Sequence, residues 1–515
     1  MRRIFSLTTV IFLLFQPIQE SRIVSAAATL EVTEWESALK DSIQRQKWGD
    51  AASYSKKLAV YFDEKGQYEK AAKYYDENAI FWAKAGHADW GIRNSIRADH
   101  IRTEVELYVE QPSPPNQKLA KFEPNSGTYL GLFLAGKRER ANPDLVKGAY
   151  GKNHAIYLTY TTWGKRYTDT NTFFPMSFAK KAKKNGSGIQ IGFEPEQGLD
   201  IVEDGEYIRQ FAREARQSGV PVFLRFAGEM NGEWVPWSGD PEKYKEKFRL
   251  VHRIMKEEAP NVAMVWSPNF LPRHNIDPYY PGDKYVDWVG LSLYTIPFSH
   301  GKEVPGGNPI DYLKPIYQKY SHKPMMVSEG AVSHYSYQLQ KDYSEWASGQ
   351  IVNMYGFLPK MYPQIKAITY FNLDKKTTNY DNQNNNYDLG DSAVVDKKYK
   401  SIIKSPHFID RLVLNERNNN TNSIFVPLEK IEKLTGVHKA FVYVKLPLGQ
   451  QPYYVALYQG ENKLGESYAQ PWEMKIDFRE LNLNEPLVAI AFDKNFKRLA
   501  THQTTPPKVV PGTEN

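Results

Sequence analysis

The chain has 515 residues, of which 41% are hydrophobic and 24% charged, with a formal net charge of +7. This length predicts two to four domains, and the basic residues form no block dense enough to follow a phosphate backbone, which excludes nucleic acid as the expected partner. The sequence has no cysteine, which excludes disulfides, zinc-thiolate sites and thiol catalysis.

Residues 1–28 have the layout of a signal peptide. Arg2 and Arg3 precede an apolar run from Ile4 to Phe15, and small residues follow at positions 25–28. The run is short for a membrane span, and no later segment is apolar enough to cross a bilayer. We therefore expect a mature protein that is secreted or attached to the cell wall, with an uncleaved N-terminal anchor as the alternative.

Residues 30–111 are predicted to form a helical domain, with the helical pattern running from Glu34 to about Glu110. In residues 48–54 and 66–75, small alanines lie between large aromatic residues, a pattern typical of antiparallel helix pairs. The second segment looks like the start of a tetratricopeptide helix. We favour a stabilising cap on the next domain over a surface for a protein partner. The proline-rich residues 111–116 predict a linker.

Residues 120–412 are predicted to form a (β/α)8 barrel. Short apolar runs rich in β-forming residues alternate with helix-length connectors, which indicates a parallel sheet. An open doubly wound sheet would need a glycine-rich phosphate loop after its first strand, and residues 131–140 contain none. The eight predicted strands are 128–134, 154–160, 188–193, 220–226, 261–266, 286–293, 323–328 and 366–371.

The C-terminal residues 423–505 follow a second predicted linker at 414–422. Several runs in this region alternate with a period of two, which predicts a small antiparallel β-sandwich. Its single tryptophan, Trp472, offers no aromatic platform by itself. Structural support of the barrel is therefore the simpler expected role, and carbohydrate binding is the alternative.

Two glutamates stand at the ends of predicted barrel strands, Glu229 after the fourth and Glu329 after the seventh. Reacting groups of (β/α)8 barrels lie where the strands end, so we expect both to face the mouth of the barrel. Retaining glycosidases need two carboxyl groups ~5–5.5 Å apart, one as nucleophile and one as acid/base. Either glutamate alone could form an ordinary salt bridge, but the pair with tryptophans nearby favours glycoside hydrolysis.

The segment from Arg225 to Gly239 resembles the acid/base motif of glycoside hydrolase family 26, which has Arg, two residues, His-Glu-Met-Asn-Gly and then spaced tryptophans. Residues 192–195, 266–269, 286–294 and 323–329 also resemble that family. The resemblance implies that Glu229 is the acid/base, that Glu329 is the nucleophile, and that Tyr294 hydrogen-bonds the nucleophile. The residues expected to contact the substrate are Arg225, Asn231, Trp234, Trp237, Tyr294, Trp163, Trp266 and Glu194.

Two positions depart from the family pattern. Gly228 stands where the family has histidine, and the eighth predicted strand ends in Tyr370-Phe371-Asn372 instead of a tryptophan. These departures bear on mannan specificity more than on hydrolysis. Among the candidate sugar-stacking tryptophans we favour Trp234 and Trp237, whereas Trp288 lies within a strand and is expected to pack in the core.

The sequence as a whole predicts a secreted retaining β-glycoside hydrolase that acts on a polysaccharide, similar to an endo-β-mannanase. No metal or other cofactor is expected. One alternative is a non-catalytic or weakly active glycan-binding barrel involved in envelope or exopolysaccharide processing. Another is an envelope assembly protein in which the N-terminal helices are the main functional part.

Overall fold

The computed structural model describes residues 16–113, 119–299, 302–303, 306–376, 384–413, 423–482, 484–506 and 508–509. The chain divides into two compact units, Met1–Arg102 and Thr103–Asn515. No helix among the described residues is long and apolar enough to cross a membrane. The first half of the predicted signal peptide and the predicted linker at 414–422 lie outside the described residues.

The first unit is helical, as predicted. Successive helices pack against each other, with the fully buried Ala51 and Ala71 at their contacts. Gly91 allows the closest approach, because a Cβ at this position would lie 2.6 Å from the Cα of Ala79. The helices are α1 Gln16–Gln44, α2 Trp48–Glu64, α3 Tyr68–Lys84 and α4 Ala88–Ile101.

The helical region ends at Ile101, so the expectation that helix continues to about Glu110 is wrong. Residues Glu104–Pro112 form strand β1, which pairs antiparallel with Ser423–Pro427 and with Val437–Lys445. The expected linker at 111–116 is also wrong in its first two residues, because both belong to this strand.

A closed barrel of eight parallel strands forms the centre of the second unit, which confirms the predicted fold. Neighbouring strands pair in chain order, and the last strand pairs back with the first, from Ala367 opposite Tyr129 to Asn372 opposite Leu134. The barrel strands are β2 Thr128–Leu134, β3 Ile156–Thr162, β4 Gly188–Glu194, β5 Val222–Phe226, β6 Val262–Trp266, β7 Trp288–Thr295, β8 Met325–Val332 and β9 Ile365–Asn372.

Helices in the connections cover the barrel. In the helix Glu206–Ser218, Ile208, Phe211 and Ala215 are buried at a spacing of three to four residues, which gives it one apolar face. The helices of this unit are α5 Val146–Tyr150, α6 Met176–Lys184, α7 Glu206–Ser218, α8 Pro241–Glu258, α9 Pro309–Tyr320, α10 Ser344–Ile351, α11 Leu358–Met361 and α12 Ala393–Ile403, with π-helical residues Val352–Phe357 between α10 and α11.

The C-terminal region contains the predicted antiparallel sheets, and β1 completes one of them. One sheet has the order Ser423–Pro427, β1, Val437–Lys445 and Glu473–Asp477, and the other has the order Asn462–Ser467, Tyr454–Gln459, Leu487–Phe492 and Arg498–Thr504. The first sheet is tied to the barrel, because Lys445 Nζ lies 2.9 Å from Asp311 Oδ1. Buried residues of the barrel and both sheets form one hydrophobic core.

Candidate active site

Glu329 lies on β8, near the carboxyl end of the barrel, and its carboxylate is held by three side chains from other strands. Arg225 Nη1 donates to Glu329 Oε2 at 2.6 Å. The hydroxyl of Tyr160 donates to the same oxygen, and the hydroxyl of Tyr294 donates to Oε1. The side chain of Glu329 is 11% exposed. The expected hydrogen bond from Tyr294 to Glu329 is therefore present.

These contacts determine the charge of Glu329. Burial raises the pKa of this carboxyl, but the positive charge of Arg225 and the hydrogen bonds from Tyr160 and Tyr294 outweigh it, and the pKa lies below its usual range. Burial and the neighbouring carboxylate raise the pKa of both tyrosines well above the usual range, so both keep their protons. Glu329 is consequently an anion at neutral pH, as a nucleophile must be.

Arg225 connects the two candidate catalytic glutamates. Its guanidinium is buried and also donates to Ser267 Oγ at 3.0 Å and to Ser292 Oγ at 2.7 Å. Besides the ion pair with Glu329, its Nη2 lies 3.7 Å from Glu229 Oε1. Both carboxylates thus lie beside one guanidinium. Arg225 is 2% exposed and its hydrogen bonds go to protein groups, so direct contact with substrate stays a prediction for this residue.

Glu229 lies on a tight turn directly after β5. Its φ is +60° and that of Ala227 is +47°, a left-handed conformation that non-glycine residues rarely adopt and that is often found at functional sites. Trp234 Nε1 donates to Glu229 Oε2 at 2.8 Å, and Asn269 Nδ2 donates to Oε1 at 3.1 Å. The side chain of Glu229 is 18% exposed, so it is more open than that of Glu329.

Gly228 leaves room for Arg225. A Cβ at position 228 would lie 2.7 Å from Arg225 Nε and 2.8 Å from its Cζ, closer than non-bonded atoms approach. Because Glu329 and two serines hold that guanidinium, it cannot move aside without losing those contacts. The position where the resembling family has histidine is therefore packed against Arg225 in this chain.

Trp234 and Trp163 differ from the other candidate tryptophans in being accessible. Trp234 is 55% exposed and has its indole N–H on Glu229. Trp163 is partly buried, and its ring stacks on Phe193 at 5.0 Å between centroids. An exposed aromatic ring beside a carboxylate is suited to contact the apolar face of a sugar.

Three of the residues predicted to contact the substrate, Trp266, Trp237 and Asn231, are buried in the protein, and their contact with substrate stays a prediction. Trp266 is fully buried, and Trp237, at 4% exposed, uses its indole N–H to hold the carbonyl of Gly228 at 2.8 Å. Asn231 is also fully buried, and its amide bonds the backbone of Asn269 through both its oxygen and its nitrogen. Trp237 and Asn231 thereby hold the turns that follow β5 and β6. Trp288, which was expected in the core, is fully buried.

Glu194 brings a third carboxyl to the site from the end of β4. Burial raises its pKa to about 7, opposed by the charge of Arg225 and reinforced by Glu329 and Glu229. The structure gives this carboxyl no hydrogen-bond partner among the described residues. Glu194 therefore changes its charge near neutral pH within electrostatic reach of both other glutamates.

Sequence reasoning missed Tyr160 and Asn269 as functional residues. Tyr160 is the last residue of a predicted strand, and its ring fits there because Gly192 on β4 leaves space, since a Cβ at Gly192 would lie 2.4 Å from that ring. Asn269 stands three residues after the end of the predicted strand 261–266. The useful signal would have been the position of each polar residue at a strand end.

Two acidic side chains at the carboxyl end of a (β/α)8 barrel are an arrangement that suits glycoside hydrolysis. The comparison with known families agrees with this class. Residues 194–303 match the model described as Glycosyl hydrolase family 26, so this part of the chain is similar to that family.

The curated relatives are named for different polysaccharide-cleaving activities. Endoglucanase H of Acetivibrio thermocellus is 25% identical over 272 residues, which cover 49% of this chain and 29% of that protein. The β-1,3-xylanase TXYA of a Vibrio species is 27% identical over 252 residues, covering 43% of this chain and 53% of that protein. A mannan endo-1,4-β-mannosidase of Bacillus subtilis is 32% identical over 137 residues, covering 20% of this chain and 38% of that protein. The chain thus spans about half or less of the length of these relatives.

Proposed function

We propose that this protein is a retaining glycoside hydrolase that cleaves a β-linked polysaccharide, with Glu329 as nucleophile and Glu229 as acid/base. The observation that carries this proposal is the position of Arg225. Its guanidinium forms a 2.6 Å ion pair with Glu329 and lies 3.7 Å from Glu229, so both acids belong to one site. Because Glu329 is ionised and largely enclosed, it suits attack, while the more open Glu229 suits proton transfer.

The reaction proceeds in two steps in this proposal. First, a carboxylate oxygen of Glu329 bonds to the anomeric carbon as the bond to the leaving sugar oxygen breaks, and Glu229 gives that oxygen its proton. The product is a glycosyl ester of Glu329. Second, Glu229, now ionised, takes a proton from a water molecule whose oxygen attacks the anomeric carbon, which releases the sugar and restores both carboxyl groups.

Neighbouring side chains support a sugar substrate. Trp234 presents an exposed ring and holds Glu229, so a pyranose stacked on it would lie beside the acid/base. Trp163 and Glu194 belong to strand ends on the adjoining side of the barrel and complete the proposed substrate contacts. Tyr294 acts through Glu329, to which it donates a hydrogen bond.

The polysaccharide itself is proposed only as a class. The relatives are named for glucan, β-1,3-xylan and mannan, and Gly228 removes the imidazole that the family pattern has next to the acid/base. We favour endo action and keep mannan as one candidate. We also propose export, because the basic and apolar start of the sequence fits a signal peptide and polymeric substrates lie outside the cell.

The test is hydrolysis of β-mannan, β-1,3-xylan, β-glucan and envelope polysaccharide, measured by the release of reducing ends. The wild-type protein is compared with Glu229→Gln, Glu329→Gln and the control Glu242→Gln, which changes an exposed residue of α8. We expect activity on at least one polymer, lost in the first two variants and kept in the control. Wild-type turnover in either active-site variant would disprove the assignment. If NMR during the reaction shows that the product is first released as the β-anomer, this result would support retention.

A further inference from the structure

A cavity of about 840 Å³ lies at the opposite end of the barrel from Glu229 and Glu329. Its walls include the amino-terminal ends of β2 and β9, the segment 405–413, and the edge of the sheet that contains β1. We call it the basic cavity, because five cationic side chains line it: Lys152, Lys360, Lys366, Lys439 and Arg411.

Only some of these cationic side chains have partners within the protein. Lys152 Nζ donates to the carbonyl oxygens of Ile403 and Ser405 at 3.0 and 3.1 Å. Lys360 forms an ion pair with Glu473. The structure gives Lys366, Lys439 and Arg411 no hydrogen-bond or ion-pair partner within the described residues.

Lys366 is a partly buried cation of this cavity. It lies at the start of β9, and burial lowers its pKa although the charge of Glu123 opposes this. A cation removed from water without a partner costs free energy that a bound anion would offset. The cavity therefore favours an anionic occupant.

Three of the lysines come from different parts of the chain, and all three act electrostatically on His407. His407 is buried, and after burial the charges of Lys360, Lys366 and Lys152 lower its pKa further, to about 4. All three ammonium groups thus lie within electrostatic reach of one neutral ring. The His407 ring is fixed in turn, since its Nε2 lies 3.0 Å from Thr128 Oγ1.

Acidic residues in the wall do not cancel this charge. Glu473 is used by Lys360, and Glu110 accepts a hydrogen bond from Ser423 at 2.6 Å. Asp410 is the third, and its charge acts on Lys152. Five cations thus face three carboxylates in the lining.

The uncharged lining is of two kinds. Asn125, Ser126 and Ser405 offer hydrogen bonds, while Pro124, Pro359 and Pro406 offer flat apolar surface. The volume falls within the range of small-molecule sites, roughly 300–1,000 Å³, and exceeds what one inorganic anion would fill. Hydroxyl partners next to apolar surface suit a sugar ring.

We propose that the basic cavity binds an anionic saccharide, a short sugar chain that carries carboxylate or sulfate groups. The anionic groups contact Lys366, Lys439 and Arg411, and the sugar rings lie against the prolines. This binding site is separate from the proposed catalytic site and does not depend on it.

Isothermal titration calorimetry of the full chain tests this proposal. The probes are trigalacturonate, a sulfated heparin tetrasaccharide, neutral mannotriose and inorganic phosphate. We expect one of the two anionic saccharides to bind, and its affinity to fall about tenfold in Lys366→Gln and in Arg411→Gln, the size of one lost charged hydrogen bond. The control Lys180→Gln changes an exposed lysine of α6 and should bind like the wild type.

Each alternative result has a defined meaning. Binding of neither anionic saccharide, or equal binding of mannotriose, would overturn the proposal. Equally tight binding of inorganic phosphate would show a simple oxyanion site and overturn the saccharide part. Unchanged affinity in both cavity variants would place the saccharide elsewhere. If Lys366→Gln lowers the melting temperature, the Arg411→Gln variant still tests the proposal. Arg411 is exposed, and its replacement disturbs no described contact.

Discussion

The ends of β5 and β8 carry the same kind of side chain in different surroundings. Glu329 on β8 is enclosed and receives hydrogen bonds from Arg225, Tyr160 and Tyr294. Glu229 lies after β5 on a left-handed turn, more open, beside the exposed Trp234. In the proposed mechanism, this difference in surroundings gives the two carboxyl groups opposite tasks. One is held as an anion in a fixed position, and the other faces the side from which a leaving group can take a proton.

Replacing either glutamate tests this comparison with the largest expected effect. Glu329→Gln removes the nucleophile, and we expect turnover to fall on the order of 10³-fold or more on every substrate. Glu229→Gln should cost about 10²–10⁴-fold on a polysaccharide, which needs a proton donor. With an aryl glycoside, whose leaving group needs no proton, the loss in Glu229→Gln should be much smaller. Equal losses of both variants on the two substrates would contradict the assigned roles.

The tyrosine hydroxyls are expected to sharpen the comparison through pH. Tyr160→Phe and Tyr294→Phe each remove a donor that favours ionised Glu329, so the pKa of Glu329 should rise. Because the reaction needs this residue as an anion, the acidic limb of the kcat/KM profile should move to higher pH. At pH values on the acidic side of this limb, the activity of each variant should be about tenfold lower than that of the wild type. Tyr157→Phe is a matched control on the same strand, since that hydroxyl bonds Asn153. An unchanged acidic limb in both variants would refute the role of the tyrosines.

Restoring the family histidine should harm this chain. In Gly228→His the new Cβ would meet the guanidinium of Arg225, which cannot move without releasing Glu329. We expect kcat/KM to fall several-fold and the free energy of unfolding to fall by about 1–3 kcal/mol. Gly148→Ala is the control, because its Cβ would meet nothing within 4 Å. Higher activity in Gly228→His would show that Arg225 can make room.

Removal of the Trp234 ring is expected to have the smallest effect. Trp234→Ala should raise KM for a polysaccharide by about fivefold, through the loss of ring–sugar contact, with less change in kcat. Trp234→Phe keeps an aromatic face but loses the hydrogen bond to Glu229, so it separates stacking from positioning. If both variants change kcat equally and leave KM alone, Trp234 acts only through Glu229.

Most of the barrel could be predicted from the sequence, because each strand is short, apolar and separated by a helix-length connector. Residues 128–134 are a strand in both the prediction and the structure, and the other seven strands differ only at their ends. The sequence could also place Glu229 and Glu329 at the mouth of the barrel, because the carboxyl ends of all its strands lie at the same rim. A local pattern was sufficient for these features.

Features that depend on distant partners could not be predicted. In strand β1 the buried Val105, Leu107 and Val109 are two residues apart, but the buried Tyr108 interrupts the alternation with glutamates. The partner strands of β1 begin more than 300 residues later in the chain, so the sequence near β1 was interpreted as a continuation of the preceding helices. The burial of Trp266 also depends on packing against Tyr280 and Tyr320 from later segments. Such outcomes are fixed by tertiary contacts.

Trapping the covalent intermediate is the most direct test of the central claim that Glu329 attacks the anomeric carbon. A 2-deoxy-2-fluoro glycoside of the preferred sugar, with a good leaving group, should form a glycosyl ester that breaks down slowly. Mass spectrometry of the digested protein should then find the sugar on the peptide that contains Glu329, and Glu329→Gln should take up none. A label on any other residue, or labelling of the Glu329→Gln variant, would contradict the claim.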